Sequence, residues 1–359
     1  GPLMQNSLNI IIIGAGLVGL SSADLLALAG HRVTVIESQH GPVYGASYSN
    51  SGMLHPSQSW PWLVDKKKGD ASTAFKAVHQ LALRSSVVQK GVSARLGFGN
   101  QKIKSGCYKI YGDLVSAHDA MNDYKSNSIE SIQVTHETDT LGHPALYFEG
   151  DKWGNAREYA LNLEADLQRR GINFIYNARS LRLKEKNMRV SLQLNECIID
   201  ADHVIIAAGA SSSDLMRQVD LELPIKPVSG YAINYERPKT RLPNAPIMDS
   251  ASHSAITVFD DQLRISGTCD EISEVVLLER WSELAPDIIN SLKPAKEIWS
   301  GLRPMSLSGK PYICETSLSG LWVNTGHGHM GWTLCAGSAE LINEMITKGK
   351  FDSRFQITK

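Results

Sequence analysis

Three glycines give the first chemical reading of this chain. In Gly14-Ala15-Gly16-Leu17-Val18-Gly19 the G-x-G-x-x-G spacing follows a β-branched apolar run, Asn9 to Ile13, and opens a stretch of helix-forming composition, Leu20 to Ala29, that stops at Gly30. Gly14 permits a tight turn, Gly16 lets the backbone approach a pyrophosphate, and Gly19 lets helix pack on strand. The helix N-terminus then presents free N–H groups and the positive end of its dipole to phosphate. A second strand, Arg32 to Ile36, ends at Glu37 with Ser38 behind it. Such a fold places there, about twenty residues on, the carboxylate that receives ribose hydroxyls. An acid at this point repels a 2'-phosphate and disfavours NADP. The fingerprint alone does not separate FAD from NAD. A second glycine-rich turn stands near the C-terminus, in Leu321-Trp322-Val323-Asn324-Thr325-Gly326-His327-Gly328-His329-Met330-Gly331-Trp332-Thr333. It reads as strand, turn and a helix from Trp332 to Lys348, and by itself it is an anion site of unspecified ligand.

The elements that hold these turns follow from periodicity. Asp202 to Gly209 is a buried strand ending in a glycine where close backbone approach is possible. The helix Asn155 to Arg170, stopped by Gly171, and the strand Ile172 to Tyr176 make a further α/β crossover. Alternating segments at Tyr231 to Tyr235, Ser254 to Phe259 and Gln262 to Ser266 predict an antiparallel sheet elsewhere.

Composition narrows the function classes. The 359 residues suffice for about two domains, and 36 basic against 37 acidic residues leave no electrostatic footprint for nucleic acid. The five cysteines are odd in number, scattered and never spaced C-x-x-C, so they read as free thiols in a reducing compartment, with no metal site. Gly1-Pro2-Leu3 ahead of Met4 reads as the remainder of a cleaved expression tag. No apolar run reaches the roughly 20 residues of a bilayer span, and a soluble cytoplasmic protein is expected. The lysines of Asp65-Lys66-Lys67-Lys68-Gly69-Asp70 read as a solvated loop, with peripheral attachment at the inner face of a membrane left open.

The distal segments bear on the cofactor. Gly45-Ala46-Ser47-Tyr48-Ser49-Asn50-Ser51-Gly52-Met53-Leu54, Asp202 to Gly209 with Ala210-Ser211-Ser212, Leu223 to Tyr231, Ile265-Ser266-Gly267-Thr268, Gly301-Leu302-Arg303-Pro304 with Gly309-Lys310-Pro311-Tyr312-Ile313, and the turn at Gly326 together resemble the D-amino-acid oxidase and dehydrogenase family of flavoproteins. Within it, the C-terminal turn is most similar to the bacterial D-amino-acid dehydrogenase branch. The resemblance covers most of the chain. It implies an α/β fold with a Rossmann-like FAD-binding domain, near 4–85, 150–222 and 296–359, and a mainly antiparallel substrate domain, near 86–149 and 223–295. It implies non-covalent FAD. The cofactor contacts carried over are Gly14, Gly16, Leu17, Val18, Gly19, Glu37 and Ser38 in the first turn; Ser47, Ser49, Asn50, Ser51, Gly52 and Met53 beneath the flavin; Ala208 and Gly209; and Gly326, His327, Gly328, His329, Met330, Gly331, Trp332 and Thr333, whose helix start faces the flavin N1 and C2 carbonyl, where negative charge collects on reduction.

The implied reaction is oxidation of the Cα–N bond of a D-amino acid or similar small amine acid by hydride transfer to flavin N5, giving an imine that hydrolyses to a keto acid and ammonia. Arg303 is the cation expected to fork onto the substrate carboxylate. Tyr231 is a candidate for a hydrogen bond to that carboxylate or for closing the pocket. His55, His327 and His329 are candidates to take the ammonium proton, because an unperturbed imidazole titrates near neutrality. His329 stands where the dehydrogenase branch usually carries a small hydroxyl residue. Competing readings are a glycine or sarcosine oxidase type of enzyme, an NAD-dependent dehydrogenase, and a tRNA-modifying flavoprotein. The accepted side chain and its stereochemistry are set by 57–149 and 232–295, the least family-like segments. The electron acceptor (oxygen, quinone or protein) and the oligomeric state are open at this level.

Overall fold

A strand of consecutive isoleucines needs apolar cover on both faces, and Asn9–Ile13 lies inside a six-stranded sheet. In this computed structural model, which describes residues 6–42, 51–64, 69–99, 101–126, 132, 134–268 and 274–357, that sheet runs Tyr312–Glu315, Leu321–Thr325, His203–Ile206, Asn9–Ile13, Arg32–Ile36, Asn173–Ile175. Its pairings are parallel except at Tyr312–Glu315. Strand alternation sends Ile10 and Ile12 into one apolar core and Ile11 and Ile13 into another. The first core is closed by the helices Leu17–Leu28, Gly69–Leu96, Ala156–Arg169 and Gly331–Lys348. The second is closed in part by a three-stranded sheet, Arg182–Lys186, Arg189–Leu194 and Cys197–Ile199, through Leu183 and Leu192.

Helix ends follow local chemistry. Asn155 accepts from the Glu158 N–H and starts Ala156–Arg169, and Gly349, at φ 65°, ends Gly331–Lys348 in the left-handed conformation. Buried Asp24 takes Arg95 at 2.6 Å and Arg170 at 2.5 Å, pinning three helices together. Losing a partner of such a pair costs about 3–5 kcal/mol.

The second sheet has nine strands, in the order Glu297–Ser306, Ile225–Glu236, Gln262–Thr268, Ser254–Val258, Ile247–Asp249, Lys104–Ile110, Pro144–Trp153, Met53–Leu54, with Val134–Thr138 paired to Pro144–Trp153. Only Ile247–Asp249 beside Lys104–Ile110 is parallel among its described pairings. One face packs on the helices Glu274–Leu284 and Pro286–Asn290 through Ile233, Tyr235, Leu277 and Trp281. Glu297–Ser306 pairs along its length with Ile225–Glu236 in this sheet. It therefore stands in this second sheet, whereas the sequence division placed 296–306 in the first unit. Its ten-residue register with Ile225–Glu236 is the reason. No described helix is long and apolar enough to cross a membrane. Cys107, Cys197, Cys314 and Cys335 are free thiols. Ser47, Ser49, Asn50 and Lys66 to Lys68 lie outside the described residues.

Candidate active site

Sterics at the first turn explain its glycines. Gly14 has φ 119°, and a Cβ on it would stand 2.1 Å from the Ala207 carbonyl oxygen; on Gly19 a Cβ would stand 1.9 Å from the Gly14 carbonyl oxygen. Strand, turn and helix thus meet backbone to backbone. Glu37 accepts from the Ala15 and Gln39 N–H groups, each at 2.9 Å, so the same carboxylate that faces the cleft also braces the turn.

From this turn a cleft of about 500 Å3 runs past Gly16, Leu17, Val18, Glu37, Ser38, Ala208 and Gly209 to Arg303, His327, Gly328, His329, Gly331 and Trp332, with Ser51 and Met53 along it. Two buried polar atoms of residues on its wall, Asn324 Oδ1 and Trp332 Nε1, have no hydrogen-bond partner among the described residues. Orphaned buried polar groups are costly. A long polar dinucleotide with a flat ring, laid on the Gly14 turn, supplies both the length and the partners, so the residues present fit FAD.

Other expected contacts act from behind the wall. Gly326, at φ 83°, packs near the Tyr312 ring. Met330 is in the apolar core. Thr333 Oγ1 accepts from the His55 N–H at 3.1 Å, and the Gly52 carbonyl accepts from the Gly154 N–H at 2.8 Å. These residues shape the loop that bears Ser51 and Met53.

A second cavity, about 310 Å3, adjoins the cleft. Ser51, Met53, Arg303 and His329 line both. Its outer walls come from Trp60 and Trp62, from Lys109 and Tyr111, from Asp123 and Tyr124, and from the Met248 to Ala255 hairpin. Arg303 is buried on Glu297–Ser306, and a Cβ at Gly230 on the neighbouring strand would be 2.9 Å from its Nε; glycine there leaves the guanidinium its space. Burial lowers its pKa from 12.5 to about 10, which still leaves it charged at neutral pH. Arg264, unremarked in the sequence reading, is a further buried cation, its Nε donating to Asn234 Oδ1 at 2.8 Å and its head over the Phe259 ring.

His329 Nε2 donates to the Gln58 carbonyl oxygen at 3.1 Å, which leaves Nδ1, buried and without a partner among the described residues, as an acceptor. Trp62 stacks on this ring with centroids 4.2 Å apart, and His55 meets it edge-on at 5.9 Å. Burial pushes His329 down to about 3, and burial with the Lys109 charge pushes His55 to about 4. His327, bonded to Ser338 Oγ at 2.9 Å, is driven to about 3 by burial. All three are neutral at physiological pH. Contrary to the expectation from free imidazole, none is tuned to take an ammonium proton there; they serve as hydrogen-bonding and packing groups.

Tyr231 is also corrected. Alternation along Ile225–Glu236 puts it on the face of Ile233 and Tyr235, packed against the helix-covered core, whereas Gly230 faces Arg303. It lines neither of these two cavities. The cavity residues that sequence reasoning missed, Gln58, Trp60, Trp62, Lys109 and Tyr111, all fall in the 57–149 segment it assigned to the pocket. The tryptophans of Ser59-Trp60-Pro61-Trp62 were the visible signal.

Comparison with known proteins places the chain in a family and its fold among known ones. The family profile described as "FAD dependent oxidoreductase" matches residues 9–345. A D-amino acid dehydrogenase of Neisseria meningitidis serogroup C is 27% identical, the alignment covering 95% of this chain and 96% of that protein. Among solved structures, glycine oxidase from Geobacillus kaustophilus superposes with a TM-score of 0.83 at 23% identity, covering 99% of each chain. Iminodiacetate oxidase from Chelativorans sp. BNC1 gives 0.81 at 19% identity, covering 97% of this chain and 99% of that one.

Proposed function

This chain belongs to the family of FAD dependent oxidoreductases, and from that premise we propose that it oxidises the Cα–N bond of a D-amino acid or similar small amine acid. The observation that carries the reading is the buried, charged Arg303 on the wall shared by the cofactor cleft and the second cavity. A guanidinium in a low-dielectric site forks onto a carboxylate and fixes its plane. Anchored there, a 2-amino acid has its α-carbon at the mouth of the cofactor cleft.

The bound flavin supplies the two-electron acceptor to which the Cα–H passes as hydride. The amine must be neutral when this happens, since its lone pair becomes the second bond of the C=N product. His329, its Nε2 held on the Gln58 carbonyl, lines the shared wall and packs beside the position proposed for the amine. Trp60, Trp62 and Met53 narrow the water's access to the reacting carbon. The imine then takes up water and loses ammonia, giving the keto acid. Positioning supplies most of the acceleration, because oriented reactants avoid the entropy of encounter. A cavity of about 310 Å3 exceeds what glycine or sarcosine fills, favouring a substrate with a side chain.

The test is anaerobic mixing of the flavin-loaded protein with D- and L-amino acids, glycine, sarcosine and proline derivatives while visible flavin absorbance is recorded. Bleaching by amino acids of one configuration is expected. A protein that holds flavin and is bleached by none of them refutes the substrate reading.

A further inference from the structure

A third cavity, of about 470 Å3, lies beyond the segments that wall the site. Leu54, Pro56 and Thr333 line it, whereas their chain neighbours Met53, His55 and Trp332 line the cofactor cleft or the second cavity. One stripe of the helix Gly69–Leu96 makes one wall: Ser86, Lys90 and Ser93 recur at the i, i+4, i+7 spacing that brings side chains onto one face. The second sheet supplies another, where Lys152 stands in register between Ser105 and Leu54. Ala82, Phe98 and Ile103 add apolar lining.

Charge in this cavity is one-sided. Lys90, Lys104 and Lys152 line it, and no acid does among the described residues. Lys104 is partly engaged, 3.6 Å from Asp260 and 5.0 Å over the Trp153 ring. Lys152 is half-buried, and burial together with the Lys90 charge lowers its pKa; two ammonium groups that disfavour each other gain from an anion beside them. Ser93 adds an independent sign. It is 6% exposed, and its Oγ is buried with no hydrogen-bond partner among the described residues. A buried hydroxyl without a bond is costly, and a hydroxyl can donate to the same anion that the ammonium groups attract.

We propose that this cavity binds a phosphate monoester with an apolar body, its phosphate on Lys152, Lys90 and Ser93 and its body against Leu54, Ala82, Phe98 and Ile103. A phosphate monoester carries nearly two charges and three acceptor oxygens, which matches two ammonium groups and a hydroxyl better than the single charge of a carboxylate. The site is separate from the substrate cavity, since Arg303 does not line it. A soluble ester and the headgroup of an anionic lipid share this chemistry.

Octyl phosphate, octanol and inorganic phosphate are titrated calorimetrically into the flavin-loaded protein, and octyl phosphate is expected to bind most tightly. Lys152→Gln is expected to weaken it roughly 10- to 100-fold, the worth of one charged hydrogen bond. Lys90→Gln should weaken it less, because that side chain is exposed, and Ser93→Ala should weaken it measurably. A retained flavin spectrum reports the fold of each variant. Arg303→Met and Lys350→Gln, outside the cavity, should leave binding unchanged. Octanol bound as tightly as octyl phosphate would overturn the anion site, as would undiminished affinity in Lys152→Gln. Binding lost in Arg303→Met would put the ester in the substrate cavity and overturn it equally. Sedimentation with phosphatidate vesicles but not with phosphatidylcholine vesicles, abolished by Lys152→Gln, assigns a lipid headgroup; octyl phosphate binding without sedimentation assigns a soluble ester. The amine-acid reading stands or falls separately, on flavin bleaching.

Discussion

Arg303 offers the sharpest perturbation. On the proposed placement, replacing it with Met removes a forked pair of charge-assisted hydrogen bonds to the substrate carboxylate and leaves the buried side-chain volume largely filled. Losing two such bonds, at about 1.5–3 kcal/mol each, lowers kcat/KM by roughly 10^2- to 10^4-fold at about 1.4 kcal/mol per decade. Arg303→Lys keeps the charge but not the fork and is expected to fall between. Stability is expected to move the other way. Burial lowers the Arg303 pKa from 12.5 to about 10, so below pH 10 the folded state carries a charge it disfavours. The cost is roughly 3 kcal/mol, at about 1.4 kcal/mol for each tenfold change in proton affinity. Arg303→Met should therefore unfold at the same temperature as the parent or higher. The assay pairs anaerobic flavin bleaching against substrate concentration with a thermal melt of each holoprotein. A Met variant that melts earlier yet bleaches at the parental rate would show the guanidinium to be a structural cation and refute its placement on substrate.

Further outcomes follow from the same geometry. Gly14→Ala puts a Cβ 2.1 Å from the Ala207 carbonyl oxygen at φ 119°, so that variant should retain little flavin, read as the visible-to-ultraviolet absorbance ratio after gel filtration; full retention would deny the turn its role. His55, His327 and His329 have folded pKa values of about 4, 3 and 3 against an ordinary 6.5. The unfolded chain therefore binds protons first, and stability should fall as pH drops from 6.5 toward 3. Urea midpoints at pH 7 and 5 measure this, and His329→Gln should shrink the difference. Asp151, raised by burial to about 7 from 3.8, has the opposite sign: its contribution is complete below 3.8 and lost as pH rises through 7. Asp151→Asn should accordingly gain on the parent at pH 8 and not at pH 4, and equal shifts at both would refute the burial argument.

Several parts of this protein were legible one residue at a time. The run Asn9 to Ile13, the glycines at 14, 16 and 19 and the acid at Glu37 specify a strand, turn and helix through local sterics, which need no information from distant residues. Arg303 and the turn at Gly326 were likewise found by motif. Side-chain direction and ionisation were not, because they depend on what packs around a residue. Tyr231 stands one position from Gly230, and only the pairing of Ile225–Glu236 with Glu297–Ser306 decides that the glycine, not the tyrosine, faces Arg303. The three histidines lost their expected basicity to burial, a property of the assembled core. Lys109 gave no signal in the sequence; its bond to Gln58, some fifty residues away, is what sets it on the wall of the cavity that His329 also lines. The chain by itself determined which cofactor class it can hold, because backbone turns are local; the fold decided which side chains line the second cavity, because that is settled by register and burial between distant segments.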